Sequence, residues 1–247
     1  MTERMTQKLD LLAFGAHPDD VEISASGAIA RQVQLGYQVG IVDLTQGEMG
    51  TRGTAAIRLK EAEAAAHILG VAQRHNLAME DGKFANDWEH QLKIIELIRA
   101  HRPETLLLNA PTDRHPDHGR GAELVRTAAF LAGLKRIETL WYGQPQEAHR
   151  PQMMLHYIQF QDIQPDFILD ISGFMDLKLE AIQAYRSQFY DPQSEEPETV
   201  ISSKGFLESI RYRSKNMGRL IGTDYGEGFI AAQPLGVSDL MTFKGVR

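Results

Sequence analysis

The sequence predicts an α/β chain: a Rossmann-like, open and mostly parallel sheet with helices on both faces, formed as one domain over residues 1–247. Three observations carry that expectation. Short apolar runs alternate with segments of helical spacing, and the helical segments end at glycine or proline stops. Hydrophobic side chains make up 43% and charged ones 24%, which is ordinary globular usage.

Leu9 to Ala16 is a continuous apolar run ending in small residues, as expected of a strand covered on both faces. Ile23 to Leu35 has helical spacing and stops at Gly36. Gln38 to Thr45 repeats the strand character, and Ala55 to Leu69 is a second helix closed by Gly70. Arg74 to Ala78 is the third strand. In Trp88 to Ala100 the apolar residues Trp88, Leu92, Ile95 and Ile98 recur every three or four positions, and His101-Arg102-Pro103 closes that helix. Glu104 to Ala110 is the fourth strand and Ala122 to Leu134 the next helix; Asp166 to Ile171 and Gly173 to Tyr185 add a later strand and helix. Tyr142 to Gln152, with Gly143, Pro145 and Pro151, reads as a loop. Gln188 to Glu198 is acidic, contains Pro192 and Pro197, and is either a mobile lid or a solvated excursion.

Composition narrows the function. A formal net charge of -7 and a pI near 5.7 leave no basic footprint for nucleic acid or anionic membranes. The absence of cysteine removes disulfides, thiolate metal sites and cysteine nucleophiles, so any metal must use His, Asp or Glu. The stretch Met1 to Lys8 is polar and the apolar run after it is too brief for a signal-peptide core or a span, so a cytoplasmic protein is expected. After the first strand, Gly15-Ala16-His17-Pro18-Asp19-Asp20 lacks the glycine spacing of dinucleotide and phosphate loops, and no Gly-x-Ser-x-Gly elbow occurs.

Two motifs carry chemistry. His17-Pro18-Asp19-Asp20 follows the first predicted strand, and His115-Pro116-Asp117-His118 follows the fourth. Adjacent carboxylates repel unless a cation or positive dipole compensates them. A strand order of 3-2-1-4 would make the first and fourth strands neighbours, with the reversal of chain direction between them, where ligand sites of such sheets lie. Both motifs then face one crevice. The competing reading is that each opens a helix, Pro18 at a first position and Asp113 or Asp117 as a cap.

These motifs resemble those of the zinc-dependent N-acetylglucosaminyl deacetylases of the LmbE-like, or PIG-L, family. Phe14-Gly15-Ala16, Asp43-Leu44-Thr45, Arg58, Asn76-Leu77-Ala78-Met79, Ser187-Gln188-Phe189 and Tyr225-Gly226-Glu227-Gly228-Phe229 are similar to the branch acting on N-acetylglucosaminyl-malate in bacillithiol synthesis. Where the family pattern has Glu directly after the second Asp, this chain has Val21 and then Glu22, a departure that fits the same branch. Other members cleave mycothiol-related amides. The resemblance implies a small N-acetylated sugar conjugate as substrate and a homo-oligomeric assembly.

A hydrolytic zinc site wants three protein ligands and an open position, and His17, Asp20 and His118 supply two imidazoles and a carboxylate, in agreement with the family's ligand set. The same donors suit Fe(II). Asp19 is the expected general base, His115 in protonated form the group that stabilises the oxyanion or delivers a proton to the amine, and Asp117 the partner that keeps His115 charged, or only a helix cap. The resemblance implies that Arg58 meets the sugar or its acidic aglycone. Asn76 and Asp81 are candidates for the sugar hydroxyls, and Arg150 for a carboxylate or the oxyanion, in its own or a neighbouring subunit. His67, His75, His90, His101 and His156 have no partner motif and are expected to be structural or solvated.

Overall fold

The computed structural model describes residues 7–242, so the first six residues of the polar N-terminal stretch lie outside it. Its centre is β1 (Leu11–Gly15), paired in parallel with β2 (Val39–Thr45) on one side and β4 (Thr105–Leu108) on the other. β3 (Gln73–Met79) extends the β2 side. Beyond β4 stand β7 (Met153–Tyr157), parallel to it, then β9 (Gly226–Ala231) and β8 (Phe167–Asp170), with β9 antiparallel to both neighbours. The seven-stranded order β3-β2-β1-β4-β7-β9-β8 contains the expected 3-2-1-4 arrangement. A hairpin of two-residue strands, β5 (Leu140–Trp141) and β6 (Gln144–Pro145), lies at the start of the segment expected to be a loop.

Every residue of β1 and β2 is buried, because both faces of the sheet are covered. Alternate residues go to opposite faces: Leu12 and Phe14 pack with α3 (Trp88–His101) and α4 (Pro116–Ala132), and Leu11 and Ala13 pack with α1 (Asp20–Gln34) and α5 (Met175–Gln183). α2 (Ala55–Leu69) joins α5 and α6 (Phe206–Leu220) in a third apolar cluster around Tyr185 and Phe189. Among the described residues no helix is long and apolar enough to cross a membrane.

Two helices begin earlier than their apolar spacing indicates. α1 starts at Asp20 rather than Ile23 and α4 at Pro116 rather than Ala122, so the first turn of each is built from motif residues. Pro116 suits a first helical position, where no N–H is needed. The cap of α4 is His115, whose Nδ1 accepts the Asp117 N–H; neither Asp113 nor Asp117 is the N-cap residue.

Candidate metal centre and active site

The switch point between β1 and β4 brings the two motifs together. The rings of His17, His115 and His118 stand 4.7 to 5.7 Å apart between centroids, and His118 Nε2 is 3.1 Å from Asp20 Oδ1. They line a cleft of about 530 Å³ with Asp19, Arg58, Asp81, Arg114 and Phe160. His17, Asp19 and Asp20 are buried.

Each candidate ligand has its outward atoms already occupied. Asp20 Oδ2 accepts the His17 N–H and the Asn109 amide, both at 3.0 Å, which turns Oδ1 toward His118. His118 Nδ1 is 2.6 Å from Asp113 Oδ2, which leaves Nε2 facing Asp20. His17 Nε2 is 3.1 Å from Asp81 Oδ1 and 3.5 Å from Asp117 Oδ2, so its Nδ1 is the nitrogen that faces Asp20, 3.6 Å from Oδ2. Histidine ligands whose second nitrogen meets a carboxylate are the usual construction of metal sites, because the partner fixes ring and tautomer. Gln159 completes the corner. Its Oε1 accepts from Asn109 Nδ2 and the Ala110 N–H, so its Nε2 is directed to Asp20 Oδ1 at 3.1 Å and toward His118 Nε2 at 3.4 Å.

The electrostatics describe a site that holds positive charge. Burial alone would lower the His17 ring, but hydrogen bonds to Asp117, Asp20 and Asp81 carry it well above its ordinary value. Burial opposes the His118 charge as well, yet Asp20 and Asp113 raise it to about 9. Asp20 moves the other way: against its burial, the His118 and His17 charges hold it well below the usual carboxylate range. Four carboxylates, Asp20, Asp81, Asp113 and Asp117, thus face the His17 and His118 rings. Among the described residues the ligand atoms of His17, His115 and His118, and those of His17, Asp81 and Asp117, lie within 4.8 Å of one another, and imidazole and carboxylate donors of this kind fit zinc or another divalent metal.

Asp19 differs from its neighbour. It stands at the N-cap of α1 with φ 110° and ψ -23°, a conformation that residues other than glycine adopt rarely. Arg58, in the first turn of α2, holds it there: Nη2 is 3.0 Å from Asp19 Oδ2 and also donates to the Pro18 carbonyl, while Nη1 donates to the Gly47 carbonyl. Gly47 has to be glycine, since a Cβ there would collide with the Arg58 guanidinium. Burial pushes Asp19 up to about 7, and the Arg58 charge restrains the rise.

Several expected roles change. Asp117 does not bond the His115 ring through its carboxylate, which accepts from the Gly82 N–H and Arg120 Nη1 and faces His17. His115 is not held as an imidazolium: burial first, then the His17 and His118 charges, lower its pKa. Asp81 lines the cleft and is engaged by His17 and the Met49 N–H, so it also supports a candidate ligand. Asn76 satisfies the local backbone, donating to the Thr45 carbonyl and accepting the Ala78 N–H. Arg150 lies outside the cleft, its guanidinium 4.5 Å from the centre of the exposed Phe130 ring. Arg58 is buried in the cleft wall, not solvated. Sequence reasoning overlooked Asn109 and Gln159 and took Asp113 only as a cap. Asp113, five residues before His118 in a short loop, was the one of the three with a local signal.

The family described as PIG-L: GlcNAc-PI de-N-acetylase matches residues 12–129, which include both motifs. The diacetylchitobiose deacetylase of Thermococcus kodakarensis is 30% identical over 229 residues, 88% of this chain and 81% of its own. The chain belongs to the PIG-L family. Among solved structures, the conserved protein TT1542 of Thermus thermophilus superposes on this PIG-L chain with a TM-score of 0.83 at 35% identity, covering 94% of this chain and 98% of that one. The probable N-acetyl-α-D-glucosaminyl L-malate deacetylase 2 of Bacillus anthracis is 26% identical over 198 residues, 75% of this chain and 84% of its own.

Proposed function

We propose that this N-deacetylase is one catalytic domain that hydrolyses the acetamide of an N-acetylglucosaminyl conjugate, with zinc held by His17 Nδ1, Asp20 Oδ1 and His118 Nε2. The observation that carries the reading is the meeting of the two motifs at Asp20, with His118 Nε2 3.1 Å from Oδ1 and His17 Nδ1 3.6 Å from Oδ2, while the second nitrogen of each ring is taken by a carboxylate and Asp20 Oδ2 by a backbone N–H and an amide. Bound there, the metal supplies Lewis acidity toward a carbonyl oxygen and lowers the pKa of water toward about 7.

The chain's own residues supply the rest. Asp19 takes the proton of the attacking water, for which a pKa of about 7 is suited near neutral pH. Arg58 keeps that carboxylate aimed into the cleft. His115 enters the reaction neutral. Because its Nδ1 accepts the Asp117 N–H, its proton sits on Nε2, from which it donates to the oxyanion that forms as the carbonyl becomes tetrahedral. The proton gathered by Asp19 then passes to the departing amine, so the products are acetate and a free amino sugar.

For the aglycone, the proposal is malate. Arg114 lines the cleft with its guanidinium over the Phe160 ring, 4.5 Å from the centroid, and has no carboxylate partner among the described residues. An arginine presented flat at a cleft wall suits a bidentate carboxylate. The test is acetate release by zinc-loaded protein from N-acetylglucosaminyl-malate and from diacetylchitobiose, together with metal content. One zinc per chain and faster turnover of the malate conjugate are expected. Faster turnover of diacetylchitobiose would overturn the aglycone, and no acetate from either would overturn the activity.

A further inference from the structure

Outside the lining of the cleft, against α1, a lysine and a glutamate are buried together. Lys178 of α5 is 1% exposed and Glu227 of β9 is 4% exposed. Lys178 Nζ is 2.6 Å from Glu227 Oε1 and donates at 2.8 Å to the Ile23 carbonyl. Glu227 accepts the Gly27 N–H on Oε1 at 3.0 Å and the Ala28 N–H on Oε2 at 2.7 Å. Two charges from two other elements are therefore bonded to main-chain groups in the middle of a helix, where such groups ordinarily bond each other. A Cβ at position 27 would lie 2.9 Å from Glu227 Oε1 and 2.7 Å from Ile171 Cδ1, so glycine is what allows the approach.

A buried ion pair is a poor way to gain stability, because desolvation offsets much of the attraction. Position is what this one specifies. Ile23, whose carbonyl Lys178 holds, donates its own N–H to the Asp19 carbonyl at 2.9 Å. One residue thus connects the pair to the backbone of Asp19, beside Asp20. On the cleft side the same turn is held by Arg58, Asn109 and Gln159. The turn is gripped from both sides, and the strained φ of Asp19 needs that degree of constraint.

We propose that Lys178 and Glu227 are positioning residues for the metal centre, a clamp that fixes α1 along its axis and so sets where Asp20 and Asp19 stand relative to His118. The inference rests on the metal reading above. Its test compares zinc dissociation constants, measured by competition with a chromophoric chelator, in the wild type, in Glu227→Gln and in the double variant Lys178→Met/Glu227→Leu. The double variant removes both charges, so no unpaired charge is left buried and it should fold. We expect it to melt near the wild-type temperature, to bind zinc about tenfold more weakly, and to lose kcat with KM nearly unchanged. Glu227→Gln, which keeps an oxygen for one helix N–H, should fall between. A folded double variant with wild-type zinc affinity and kcat would overturn the clamp, and if that variant fails to fold, wild-type affinity in Glu227→Gln does the same. Wild-type protein that takes up no stoichiometric zinc would refute the metal reading before any variant is compared, and the clamp with it.

Discussion

Zinc loading should release protons, and their number follows from the site. In the metal-free protein the His118 ring is raised to about 9, so at pH 8 it is mostly charged, and hydrogen bonds to Asp117, Asp20 and Asp81 shift the His17 ring in the same direction. Each must surrender the proton on the nitrogen facing Asp20 before that nitrogen can donate to a metal; the other proton stays, held by Asp113 or Asp81. Asp20, depressed far below the carboxylate range, contributes none, and Asp19 at about 7 is mostly ionised already. About one ring proton therefore leaves from His118 at pH 8, His17 adds to it to the extent that its ring is charged, and up to one more comes from a water whose pKa falls to about 7. Affinity should then rise by at least about one decade per pH unit below pH 9, and by about one decade per unit fewer above it once His118 is neutral. Calorimetric titration of zinc into metal-free protein, in buffers of different ionisation enthalpy, reads the proton count directly. Release of less than about half a proton at pH 8, or an affinity unchanged between pH 7.5 and 8.5, would refute the ligand assignment.

Asp19→Asn should keep stoichiometric zinc and lose about 10²–10⁴-fold in kcat, the usual worth of a general base; normal turnover would remove Asp19 from that role. Arg58→Met takes away the charge that restrains the Asp19 pKa. Since the base must be ionised, the acid limb of kcat/KM should move to higher pH, and a limb that stays in place would disconnect Arg58 from Asp19. Arg114→Ala should raise KM for N-acetylglucosaminyl-malate about tenfold, as expected for loss of a charged hydrogen bond, with diacetylchitobiose nearly unaffected. Equal loss on both substrates would show that Arg114 does not read the aglycone.

How much of this was legible before the structure depends on where the partners of each residue lie in the chain. β1, β2 and β4 were readable because their two covered faces write themselves as unbroken apolar runs. β9 was not, since Gly226 and Gly228 dilute the strand signal in a segment recognised only through its motif. α6 also escaped notice: its apolar residues are separated by arginines, lysine and asparagine, and much of the helix is exposed. The proposed metal ligands stood out because they crowd into two four-residue motifs. Gln159 had no such marker. It lies two residues past β7, and only the pairing of β7 with β4 sets it beside Asn109 and Asp20. The contacts of Asp81 and Asp117 with His17 escaped the sequence for a related reason: both turn to the same nitrogen, an encounter between two loops and the first turn of α4 that no spacing records.

Some residues that look merely structural owe their identity to the chemistry. Gly47, with φ 65°, reads as an ordinary turn glycine in Thr45-Gln46-Gly47. Its turn wraps the Arg58 guanidinium so closely that no Cβ fits, and the same guanidinium bonds the Gly47 carbonyl and the carboxylate of Asp19. The backbone freedom of one residue is thereby tied to the orientation of another, 28 positions earlier in the numbering. Gly27 stands in the same relation to Glu227. In both places a charged side chain reaches main-chain groups near the turn that carries Asp19 and Asp20, and glycine is the residue that leaves room for it. The rigidity this gives to Asp19 and Asp20 is what lets two adjacent carboxylates take different tasks, one depressed and directed at His118, the other raised toward neutrality and held by Arg58.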